Sequence, residues 1–138
     1  MSSETRRLSA AKDLVSMRGF LALRVVETSD HTGADGNRII AGTWSVLRPG
    51  VRAKPLLHVG YAIQQGMISL TYTPPNQPTR SWSWLPADTG MANALDADLL
   101  AVYESCLSGR QFQRLLAHRK AGEASPKRPP DETGSAVG

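Results

Sequence analysis

Arg80, Trp82 and Trp84 stand at alternate positions of the stretch TRSWSWLP, and the chain has only one other tryptophan, Trp44. In an extended segment that spacing sends all three side chains to one face and Ser81, Ser83 and Leu85 to the other. Two indole rings beside a guanidinium are the ingredients of a platform for single-stranded nucleic acid, where each stacked base contributes about 1–3 kcal/mol and cations track the phosphates. Trp44 and the same three residues would equally anchor a partner protein or a second copy, because Trp and Arg dominate interface hot spots. A third use is packing: large rings in small domains usually cover an apolar neighbour.

Two further groups of cations bear on the choice. Arg48, Arg52 and Lys54 lie in RPGVRAKP, a proline- and glycine-containing stretch that reads as a connection and would extend the tryptophan face from one end of the sheet. Nearer the C-terminus the charge is unevenly shared. Leu85 to Ser108 carries Asp88, Asp96, Asp98 and Glu104 with no Lys or Arg, whereas Arg110, Arg114, Arg119 and Lys120 crowd the segment that follows. A basic helix of this kind attracts phosphates through counterion release. Its alternative is a solvated helix whose cations sit near its own C-terminus, where the macrodipole favours them. A glycine turn at Ser108-Gly109 between two amphipathic segments also permits a helix-turn-helix, although two helices closing a strand-rich domain more often form a lid on the sheet.

Catalytic chemistry finds less support. Asp30, His31, Asp35 and Asn37 share one loop, but their spacing matches no calcium loop and Asp-Gly-Asn is ordinary turn chemistry. Cys106 falls on the apolar stripe of a helix, where a thiol is an inert small hydrophobe. His58 alternates with strand residues expected to be buried, and His118 sits among cations. No glycine-rich phosphate loop, zinc-protease motif, serine-hydrolase motif or paired His/Cys ligand spacing occurs in the sequence.

These residues need a frame. At 138 residues with 41% hydrophobic content the chain suits one domain with a genuine core, and its formal charge of +4 favours an acidic partner. One cysteine excludes an internal disulfide and any multi-cysteine zinc site. The start has no uninterrupted apolar stretch of the secretory kind, and no later run approaches bilayer length, so a cytoplasmic protein is expected.

The apolar spacing predicts a helix through Leu8, Ala11, Leu14 and Val15, capped at Ser3 or Thr5 and ended at Gly19. Phe20 to Thr28 (FLALRVVET) reads as a strand buried on much of both faces. SDHTGADGN then forms a long hairpin loop before a strand from Arg38 to Leu47. Leu57–Ile63 and Ile68–Tyr72 alternate cleanly around a tight Gln65-Gly66 turn. PPNQP is a loop, Thr79 to Leu85 a fifth strand, and helical spacing returns from Asn93 and again from Arg110 to Lys120. The fold class expected is therefore α+β: an N-terminal helix, a four- or five-stranded antiparallel meander, and one or two C-terminal helices packed on one face. Residues 1–120 make the domain, and 121–138 a disordered basic and polar tail.

Helix, meander, helix resembles several small single-strand-binding and adaptor architectures, an order that does not itself carry function. The expectation is a non-enzymatic nucleic-acid-binding accessory protein, for DNA or RNA, using the sheet face and the basic helix. The alternative is a protein–protein adaptor or subunit, homodimeric or part of a larger complex, that uses the Trp/Arg face. Neither cofactor, metal nor membrane is expected to take part.

Overall fold

The computed structural model describes residues 3–124, with element order α1 (Ser3–Val15), β1 (Leu23–Thr32), β2 (Arg38–Arg48), β3 (Val51–Gln64), β4 (Met67–Tyr72), β5 (Arg80–Trp84), α2 (Thr89–Cys106) and α3 (Gly109–Ala124). The strands form one antiparallel sheet in the order β1-β2-β3-β4-β5, so each pairs with its neighbour in sequence. This is the α+β meander read from the residue pattern, with five strands and two C-terminal helices. Helix α3 continues to Ala124, past the expected domain limit at residue 120, and the expected tail from residue 125 onward lies outside the described residues.

Side-chain alternation divides the sheet into unlike faces. Ile40, Trp44 and Val46 of β2 share one face with Leu57, Val59, Tyr61 and Ile63 of β3 and with Ile68, Leu70 and Tyr72 of β4, and all are buried. Onto that face come Ala11 and Val15 of α1, Leu95, Leu99, Val102 and Tyr103 of α2, and Phe112 and Leu115 of α3. The Tyr103 hydroxyl donates to the Val15 carbonyl at 2.6 Å, joining α2 to the end of α1 where that carbonyl would otherwise be orphaned. The other face carries small residues: Ala41, Thr43, Gly60, Ala62, Ser69, Thr71, Ser81 and Ser83. No helix covers it.

Turn chemistry explains the connections. Gln65 and Gly66 both have positive φ (51° and 78°), the primed geometry that matches strand twist. Asp88 caps α2 by accepting from the Met91 N–H at 3.0 Å, so this helix begins earlier than the Asn93 suggested by its apolar stripe. The hairpin between β1 and β2 is shorter than expected, because β1 runs on to Thr32. Asp35 accepts from the Asn37 N–H at 3.0 Å and orders that turn.

Two sequence expectations give way here. RPGVRAKP is mostly strand: the turn is confined to Pro49-Gly50, and β3 starts at Val51. Pro55 is tolerated because it pairs with Leu47 where the β2–β3 register shifts, a position that needs no ladder donor. The segment expected to be buried on both faces is an edge strand instead, with every residue of β1 after Leu23 exposed. Its bonds run only to β2, and α1 and α2 lie over β3, β4 and β5.

Strand β1 is also irregular. Val25 pairs with Trp44 and Glu27 with Thr43, which leaves Val26 as the extra residue of a bulge. Gly42 makes this possible. A Cβ at that position would lie 2.2 Å from the Glu27 carbonyl oxygen and 2.6 Å from the Tyr61 hydroxyl. Tyr61 crosses this gap and stacks on Trp44 with centroids 4.1 Å apart, its hydroxyl directed to Thr28 Oγ1 at 3.4 Å.

Candidate functional site

The β4–β5 register decides the fate of the tryptophan face. Ile68 pairs with Trp84, Leu70 with Trp82 and Tyr72 with Arg80, so the three residues do share a face, and it is the one beneath the helices. Trp84 is 4% exposed and belongs to the core. Trp82 is partly buried and packs against that core. Arg80 is turned toward α2, donating to the Asp98 carboxylate and to Gln77 Oε1. The rings are therefore packing residues and do not present two flat surfaces side by side.

Around Arg80 lies a closed polar cluster. The Tyr72 hydroxyl donates to Asp98 Oδ2 at 2.5 Å, and Arg80 holds the other carboxylate oxygen. Burial raises the Asp98 pKa, but the hydrogen bonds from Arg80 and Tyr72 and the Arg80 charge outweigh it, holding the carboxyl below its ordinary range. Tyr72 is pushed well above the usual phenol range, first by burial and then by its bond to Asp98. The Trp82 indole N–H opposes that rise from beside the phenol oxygen, although it is enclosed without a partner at hydrogen-bond geometry. This cluster fastens α2 to β4 and β5, and its groups are occupied with one another.

The remaining cations separate into two sets. Arg119 is spent inside the fold: it forms a double hydrogen bond to Asp96 of α2 at 3.0 and 2.6 Å and touches the Met17 sulfur. Lys120, Arg110 and Arg114 are exposed on α3. Arg48 donates to the Cys106 carbonyl at 2.9 Å, and Gln111 reaches the Pro49 carbonyl at 3.3 Å. These bonds bring the β2–β3 turn against the α2–α3 junction and gather Arg48 with Arg110 at one end of the molecule. Lys54 is exposed on β3, and the side chain of Arg52 lies outside the described residues.

Several groups with catalytic potential are engaged by neighbours. Ser45 Oγ lies 2.9 Å from His58 Nδ1, the spacing of a nucleophile and its base, but Ser45 is 0% exposed and meets no substrate. Asp30 is held by Arg38 in a double hydrogen bond, and Asp35 by Asn37. Among the described residues no three His, Cys, Asp or Glu side chains converge as metal ligands, and no helix is long and apolar enough to cross a membrane. The outer sheet face bears an open groove of ≈ 440 Å³, lined by Glu27, Ser29, Ala41, Ala62, Ser69 and Thr71 among others.

What sequence reasoning missed is β1. Val25 and Val26 are 55% and 56% exposed on a ten-residue edge strand, with Arg24 and Glu27 beside them. The signal was present: from Glu27 to Thr32 (ETSDHT) no bulky apolar residue occurs, which suits a strand with nothing packed on it. No protein-family model, curated protein or solved structure matches the chain.

Proposed function

We propose that this chain is a non-enzymatic protein-interaction module that takes up a partner strand along β1. The observation that carries the reading is an edge ten residues long, exposed after Leu23, with two adjacent valines in solvent. On an edge strand the outward-pointing N–H and C=O groups form a template for another chain, and alternate side chains supply selectivity. The inward turn of Trp82 and Trp84 supports β1, and not the tryptophan face, as the interacting surface.

A photo-crosslinking side chain placed at Val26, with a control at Lys120, tests this in cells expressing the full chain. Covalent adducts are expected at Val26 and not at Lys120. Absence of any adduct at Val26 overturns the reading.

A second reading, nucleic-acid binding by backbone contacts, draws on the exposed Lys54, Arg110 and Arg114 and on Arg48 at the α2–α3 junction. It uses phosphate attraction without stacking. Titration with a single-stranded oligonucleotide should then show affinity falling steeply with salt. Arg110→Ala with Arg114→Ala should weaken binding and reduce the salt slope by about 2. Salt-independent binding, or none, removes it.

A further inference from the structure

We infer that the strand added at β1 is β1 of a second copy of this chain, antiparallel to the first, with Val25 of each copy opposite Val26 of the other. The inference rests on the β1 reading above and names its partner. Its basis is the bulge. Arg24 pairs with Ser45 and Glu27 with Thr43, and Ser45 and Thr43 lie two positions apart on β2, so Arg24 and Glu27 project from the same face of the sheet. Without the extra residue Val26, positions 24 and 27 would have faced opposite ways.

An antiparallel pairing centred between Val25 and Val26 sets Arg24 of each copy against Glu27 of the other, giving two reciprocal ion pairs. It also sets Leu23 against Thr28, and these two share the opposite face, because their β2 partners Val46 and Gly42 do. The Arg24–Glu27 and Leu23–Thr28 pairs both span the bulge, and each agrees in face. The exposed valines meet at the two-fold axis, where pairing removes apolar surface of both copies from water. Charge, face and hydrophobicity thus select one register.

A bulge ordinarily discourages edge pairing because it interrupts the ladder. Here it occurs in both strands at the same place, and so the mismatch is shared about the axis. Helices α1 and α2 make their sheet contacts on β3, β4 and β5. The product is a continuous sheet made of two five-stranded meanders.

The test is charge exchange, read by sedimentation velocity across a concentration series of the full chain. The wild type should dimerise. Arg24→Glu and Glu27→Arg should each weaken dimerisation about tenfold or more, since either change puts like charges opposite each other twice. Mixing the two variants should restore wild-type affinity as heterodimers, because each variant then offers what the other lacks. Restoration also shows that both variants are folded. A wild type that stays monomeric, or a dimer indifferent to both changes, overturns the inference. If the Val26 crosslink joins a different protein and never a second copy, this inference fails while strand addition at β1 stands. If no crosslink forms there at all, both fail.

Discussion

Trp84→Ala is expected to lower the unfolding free energy by about 3–5 kcal/mol, the range for removing a large ring from a packed core. The ring lies beneath the helices, 4% exposed, opposite Ile68. Little around it can collapse into the space, because its neighbours are held by a hydrogen-bonded ladder on one side and by α2 on the other. Urea unfolding followed by far-UV circular dichroism measures the loss. A change below about 1 kcal/mol would show instead that the ring sits on a surface, as solvent-facing substitutions usually do.

Gly42→Ala is expected to cost about 1–3 kcal/mol or more, although it adds a single methyl group to a strand. In most strands alanine in place of glycine is neutral or favourable. Here the methyl would meet the Glu27 carbonyl oxygen at 2.2 Å, a backbone atom that cannot rotate away, and the Tyr61 hydroxyl at 2.6 Å. Relief requires either that β1 move off β2 or that the Tyr61 ring leave its stack on Trp44. Hydrogen exchange separates the two contributions: protection of β1 amides should fall further than that of β3 and β4. Unchanged stability and unchanged β1 protection would mean that the bulge does not depend on this glycine.

Much of the frame was legible because its signals are local. The β3–β4 hairpin follows from alternation on both sides of Gln65-Gly66, and the shared face of Arg80, Trp82 and Trp84 follows from period two alone. Which face that would be is a property of the whole sheet. Alternation says that two residues share a side, and only strand register says what lies on it. A clue existed in the polar positions: Ser81 and Ser83 fall opposite Thr71 and Ser69, so the tryptophans had to fall opposite Leu70 and Ile68.

The fate of Arg80 was less accessible. Its partner Asp98 lies on α2, and no periodicity links the two. Arg119 and Asp96 illustrate the same limit: both appeared as contributions to opposite regional charges, and in the fold they neutralise each other across the helix pair. Regional charge sums count formal groups, whereas a partner meets only those left facing solvent. For β1 the composition misled in the other direction. Phe20, Leu21, Leu23, Val25 and Val26 suggest burial, but Leu21 enters the core from the connection before the strand, and the two valines do not follow it.

Because the sheet of each copy is a meander with β1 outermost, that strand is bonded along one side only while the copy is unpaired. It can peel away while β2 to β5 and the helices above them keep their packing, so local opening there costs less than global unfolding. Rejoining is quick as well, since the short turn at Gly33–Asn37 keeps the loosened segment tethered beside its place. Among the described residues of an unpaired copy, proteases and hydrogen exchange should reach β1 well before any loss of the central strands.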